Sequence, residues 1–302
     1  MTRTRPGAGA KAIPEGSLDR ATPLLRERIR AVFRRMPHAL AGDEEALHQM
    51  RIAARRLRVA LPLLARKPEG RRVRRSLRVL RQVTRSAGAS RDLDVGVALL
   101  AERRDAAATP EWALLRRRMR AARARSRTRM AEALLDLEIA ALRRHLRAVL
   151  AMRAGGLFLV LRRLRETRAA LGAEVLASIA TLGETFDAKA LHALRIRVRR
   201  LRYLGELADA FRGQVSAAPV ELKEMQDHLG LIQDAFVLSA WFDRQARAAQ
   251  SRGQQDLARE ARTHKAFFVE ASRAHHRAFL AQSPADAVRR ALAAMARTRS
   301  AA

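Results

Sequence analysis

Apolar residues recur along this chain at helical spacing, almost without interruption from residue 17 onward. Met50, Ala54, Leu57, Leu61 and Leu64 form one stripe, and Leu194, Val198 and Leu201 form another. Val73, Leu77, Leu80, Thr84 and Ala87 advance by alternate fours and threes. Such spacing gives a helix one apolar face to bury. The positions between are filled mostly by Ala, Leu and Arg, all good helix formers. Breaks are expected where Gly and Pro gather: Gly42, Pro68 to Gly70, Gly88, Pro110, Gly155-Gly156, Gly183, Gly213 to Pro219, Gly230 and Gly253. Val and Ile are scattered and never alternate between turn residues, so no strand is expected. The pattern predicts an all-α protein, preceded by a disordered basic tail over residues 1–16, which are rich in Gly, Pro and Arg.

One helix pattern occurs twice. Residues 43–58 and 187–202 are identical at ten of 16 positions, at an offset of 144. Downstream, Leu80, Gly88 and Asp92 are echoed by Leu222, Gly230 and Asp234 at an offset of 142. An internal duplication is therefore expected, with halves at 17–150 and 151–297 that together make one domain. Each half is long enough for about four antiparallel helices.

At 100° per residue from His48, Arg55, Arg51 and Arg58 lie at about −20°, −60° and −80°, with Arg56 at about +80°. The apolar stripe lies behind them, so one face packs while the other presents a ladder of a histidine and three arginines. His192, Arg195, Arg199 and Arg202 repeat the ladder, with Arg200 in the place of Arg56. Asp43 and Asp187, each five residues before its histidine, are the expected N-caps. Acids that would normally alternate with these arginines are missing. Like charges at such spacings destabilise a helix unless an anion compensates them. On the next helix the stripe from Val73 leaves Arg71, Arg75, Arg78, Arg81 and Arg85 outward, and a further basic run spans Arg116 to Arg129.

Composition sharpens this reading. The 302 residues carry 61 Lys+Arg against 30 Asp+Glu, a net charge of +31, and 48% are hydrophobic. Only five of the basic residues are lysine and Asn is absent, which fits a GC-rich coding bias. That bias accounts for Arg over Lys but not for the excess over acids, nor for its distribution. Residues 51–85 hold 13 basic residues and one acid, whereas 203–260 hold nine acids and six basic residues. A polyanionic partner is implied. Arginine's planar fork donates in pairs to phosphate oxygens, so the ligand chemistry is phosphate in repeated units.

Other classes fit less well. With no Cys, disulfides, thiolate metal sites and a cysteine nucleophile are excluded. No run approaches the ~20 apolar residues of a membrane span. The N-terminal residues lack an apolar signal core, so the expected location is cytoplasmic. Glu45 to His48 matches a di-iron Glu-x-x-His, but Lys189 replaces the glutamate in the second copy. No Gly-rich phosphate loop occurs, and Asp92, Asp94 and Asp234 suit salt bridges or caps better than metal binding. No enzyme, cofactor or metal site is therefore expected. Nucleic acid, bound without sequence preference, is the alternative polyanion. Against it, aromatics are only 4%, and Phe236, Trp241, Phe242, Phe267 and Phe268 are expected in the core. The pair His275-His276 is expected to be exposed. An enzyme that processes such a phosphate polymer ranks lower still.

The His48-x-x-Arg51-x-x-x-Arg55-Arg56-Leu57-Arg58 helix, its second copy, and Arg91-Asp92-Leu93-Asp94-Val95 resemble the conserved-histidine α-helical domain (CHAD) family over residues 17–290. The resemblance implies two four-helix bundles related by a pseudo-twofold, with basic helices lining a central groove or pore. It also implies binding of inorganic polyphosphate and association with polyphosphate granules. Carried over, the ligand-facing residues are His48, Arg51, Arg55, Arg58, His192, Arg195, Arg199 and Arg202. The candidate set extends to Arg56, Arg200, Arg78, Arg81, Arg85, Arg91 and Lys223. Three positions depart from the family pattern: Ala87 before Gly88, Pro62, which should kink the first motif helix, and Gln233 before Asp234.

Overall fold

The computed structural model describes residues 19–86, 88–103 and 109–297. The expected tail and Ala87 lie outside these residues. The first half of the sequence forms α1 (Ala21–Leu40), α2 (Glu44–Leu64), α3 (Arg71–Ser86), α4 (Gly88–Glu102), α5 (Pro110–Leu135) and α6 (Ile139–Ala151). The second forms α7 (Leu157–Ala180), α8 (Ala188–Arg212), α9 (Ala218–Gln250), α10 (Gln255–Ala281) and α11 (Pro284–Ala296). Among the described residues there is no strand, only an isolated bridge between Ala65 and Ala154. The fold is all-α, as the periodicity requires.

The two motif helices start as their sequences dictate. Asp43 accepts from Ala46 N at 2.9 Å, and Asp187 accepts from Lys189 N and Ala190 N at 2.8 and 3.1 Å. Both caps satisfy amides that the first helical turn leaves unpaired. Pro62 falls in the last turn of α2, which ends two residues later at Leu64, so the missing N–H disturbs little of the helix. α8 ends at Gly213, whose φ of 68° suits a residue without Cβ. Gly230 is not a break: it lies buried inside α9, where a single glycine is tolerated.

The stripes behind the ladders are fully buried: Leu57, Leu61, Leu64, Leu194, Val198 and Leu201 all have 0% exposure. They belong to a main core that draws on α1, α2, α3, α6, α7, α8 and α11, the end of α5 and the first part of α9. A second core joins Leu100 of α4 and Trp112, Leu115 and Met119 of α5 to α9 and α10, from Ala235 to Phe268. Apolar packing therefore does not separate at residue 150: each core mixes helices from both halves. Among the described residues six and five helices stand where about four per half are expected.

Some side chains depart from expectation. Phe236 and Phe267 are exposed, whereas Trp241, Phe242 and Phe268 are buried. His276 is 1% exposed rather than open to solvent. It lies one helical step from His275, on the face of α10 that packs against Phe186 with ring centroids 5.8 Å apart. His264 is also buried, beside Trp112 at 4.1 Å, with its Nε2 3.0 Å from Glu260.

Candidate polyanion groove

α2 and α8 turn their basic faces toward each other, and α3, α4 and α9 complete a groove of about 1070 Å³ between them. α2 contributes His48, Arg51, Arg55, Arg56 and Arg58, and α8 contributes His192, Arg195, Arg199 and Arg202. Arg81 and Arg85 enter from α3, Arg91 from α4 and Lys223 from α9. Eleven Arg and Lys side chains thus meet three carboxylates, Asp92, Asp227 and Asp234. Two candidate residues are not brought in. Arg78 shares a face of α3 with Arg81 but lies one turn further from the groove, and Arg200 lies about 100° round α8 from Arg199; both are exposed.

A solvated ladder is not what the fold builds. Arg51 and Arg202 are buried, at 6% and 9% exposure. Burial draws the Arg51 guanidinium down to about 10, with Arg55 adding to the effect. Arg199 falls to about 9 through burial and then the neighbouring Arg55 and Arg195. Arg55 and Arg58 are lowered by burial too. The Nε–H groups of Arg51, Arg195 and Arg202 are buried without a hydrogen-bond partner among the described residues. Buried donors are normally paired, so these cations are held in a state that an anion would relieve.

The carboxylates do not supply that relief. Asp94 does what the sequence suggested, pairing with Arg123 at 2.7 Å and Arg127 at 2.8 Å on the far side of α4. Asp92 and Asp234 instead make no ion pair within 4.0 Å among the described residues. Burial raises the Asp92 carboxyl above its ordinary value against the pull of Arg51 and Arg195. Asp234 is raised by burial, against Arg195 and with Asp92 adding to it. His48 moves the other way: burial, then Arg91, holds its imidazole below the ordinary value. In the free groove its protonated form is therefore disfavoured. The His192 Nδ1–H donates to Gln233 Oε1 at 2.9 Å, which gives the departure at Gln233 a role in orienting that ring.

Three participants escaped the sequence reading. Tyr203 is buried with its ring under Arg202 at 4.8 Å and Arg56 at 5.8 Å. Glu206 holds Arg56 at 2.7 Å and Arg202 at 3.4 Å. Thr84, assigned to a core stripe, is buried but also accepts from Arg58 Nη1 at 3.2 Å. Glu206 could have been found, since it stands four residues after Arg202 on the same helix. The Arg56–Glu206 pair joins α2 to α8 and leaves no signal in local spacing.

The family model for the CHAD domain matches residues 23–243, a span that includes both ladders. The chain belongs to the CHAD domain family. Among solved structures, this CHAD protein is similar to the crystal structure of the CHAD domain from the plant Ricinus communis. The TM-score is 0.60, at 24% identity, covering 92% of each chain. That likeness shows a shared fold. No curated protein matches the sequence. No helix of the described residues is long and apolar enough to cross a membrane.

Proposed function

We propose that this CHAD protein binds inorganic polyphosphate in the groove between α2 and α8, without catalysis. The observation that carries the reading is the charge of the groove: among the described residues eleven Arg and Lys side chains face three carboxylates, an excess that remains after Glu206 pairs with Arg56 and Arg202 and Asp227 with Lys223, with buried guanidinium N–H groups left unpartnered. Successive phosphates along a chain would engage successive arginines, Arg51, Arg55 and Arg58 from one wall and Arg195, Arg199 and Arg202 from the other. Affinity would then climb with chain length and fall steeply with salt.

The groove wall favours a polyanion without bases. Among the described residues its only Phe, Trp or Tyr is Tyr203, which is 4% exposed and covered by arginines, so beyond the imidazoles of His48 and His192 the wall offers no ring for base stacking. Ile52, Val95 and Ile196 are the other apolar side chains of the wall. Non-specific nucleic-acid binding is accordingly the weaker reading. In this proposal the protein acts in the cytoplasm at polyphosphate granules.

The test is competition at fixed salt between long-chain polyphosphate, duplex DNA and single-stranded RNA. Polyphosphate is expected to displace both, and preference for either nucleic acid would overturn the reading. Replacing Arg51, Arg55, Arg195 and Arg199 together with Ala should abolish tight binding while circular dichroism shows helicity retained. Release of orthophosphate from polyphosphate with added Mg²⁺ would replace binding with catalysis.

A further inference from the structure

The groove does not end at α2. Gln49, Ile52 and Arg56 on its edge also line a small cavity of about 170 Å³ between α1 and α2, together with Arg28, Arg34 and Arg35. Arg34 in turn lines a wide depression of about 1120 Å³ between α1 and α6. The three concavities form a chain, each sharing at least one side chain with the next.

The depression carries its own arginine ladders. Arg26, Arg30 and Arg34 stand at i, i+4 and i+8 on α1, spanning about 12 Å along the helix axis. Arg143 and Arg147 stand at i and i+4 on α6, facing them across the apolar floor of Ile29, Phe33 and Leu150. Glu27 is the single carboxylate in the lining. None of these five arginines makes an ion pair with a carboxylate among the described residues; Arg143 instead lies over the Phe33 ring at 4.8 Å. The physical argument is the same as for α2 and α8. Like charges spaced one turn apart oppose helix formation unless an external anion compensates them.

We propose that a polyphosphate chain longer than the groove leaves it past Arg56, crosses α1 over Arg28, Arg34 and Arg35, and lies along the ladders of α1 and α6. This outer track rests on the polyphosphate reading of the groove and extends it to chain length. The groove alone sets the affinity for short chains. Long chains gain from the track by effective concentration, since their second segment binds as an intramolecular event.

The experiment measures affinity against chains of defined length at several salt concentrations. It compares the native protein with Arg30→Ala, Arg34→Ala, Arg143→Ala and Arg147→Ala combined. A second variant replaces Arg244, Arg252, Arg262 and Arg273 with Ala, removing equal charge from exposed positions on α9, α10 and the turn between them. The track variant should bind short chains as the native protein does. It should lose the long-chain gain, roughly tenfold or more, and its salt slope for long chains should fall by about 3, at ~0.7 per phosphate contact. Lysine at the same four positions should restore most of the gain. The proposal is overturned if long-chain affinity is unchanged, if short and long chains weaken in parallel, or if the α9–α10 variant loses as much. Loss of single-stranded RNA binding alone, with long polyphosphate bound normally, would assign the face to nucleic acid and overturn it too. Native protein that bound short chains no better than RNA would instead refute the groove reading, and the track with it.

Discussion

Replacing Arg51 with methionine should stabilise the free protein while weakening its binding. Arg51 is 6% exposed, its Nε–H is unpartnered, and burial draws its guanidinium from the ordinary arginine value down to about 10. At ~1.36 kcal/mol per unit, holding that charge in the folded state costs up to about 3 kcal/mol. For a cation lowered in the folded state, this cost is complete below about pH 10 and is relieved only as pH rises through the folded value toward the ordinary arginine range. The difference between Arg51→Met and native protein should therefore be flat from pH 6 to 8. Methionine keeps much of the alkyl packing and removes a positive neighbour from Arg55, Arg91 and Arg195. The expected gain is about 1–3 kcal/mol, or roughly 2–5 °C in melting temperature for a chain of this size. The assay is thermal unfolding with and without long-chain polyphosphate. Native protein should rise in melting temperature with ligand, as any native-state ligand requires, and the variant should rise much less. An unliganded variant that melted at or below the native temperature would refute the argument that the groove stores electrostatic strain.

Two further outcomes follow from neighbouring residues. His48 is lowered below 6.5 by burial and by Arg91 in the free groove; a bound phosphate would raise it, so binding takes up a proton. Affinity should increase as pH falls from 8 toward 6, with part of that increase absent in His48→Gln, as read by binding isotherms and by proton uptake in buffers of different ionisation heat. Glu206→Gln leaves the buried Arg202 without its carboxylate partner, along with Arg56. Chemical denaturation should show a loss of about 1–3 kcal/mol, and an unchanged midpoint would show that Glu206 does not hold the two arginines against their repulsion.

Much of the groove was legible because it is built on helical spacing. The three-four stripe behind His48 and His192 fixes which face packs, so the opposite face of each motif helix had to carry the arginines. The caps at Asp43 and Asp187 follow from the same local geometry. What spacing does not reveal is how far two such faces stand apart. A lone ladder reads as solvated; Arg51 and Arg202 are buried only because α2 and α8 meet across a narrow groove. The same limit explains Thr84, whose place in a core stripe is correct while its hydroxyl serves Arg58 on another helix. It explains His276 as well: adjacent histidines look alike in sequence, but a 100° step puts one of them into the packing around Phe186. The ladder on α1 has no second copy in the sequence, so local spacing alone does not set it apart from any other basic surface helix.

By itself the sequence determined the all-α fold, the two histidine–arginine helices and a charge of +31 that demands an anionic partner. These are properties of single helices or of the whole composition, and neither depends on where helices lie relative to one another. Tertiary structure decided which arginines share one cavity, that Arg78 and Arg200 stay outside it, and that Asp92 and Asp234 enter it unpaired. It also decided that apolar packing crosses the sequence midpoint, with α4 and α5 joining α9 and α10. The physical reason is common to all of these. Burial, Coulomb repulsion and desolvation depend on distances between helices, and residues as far apart in the chain as Arg56 and Glu206 reach 2.7 Å only when the helices have packed.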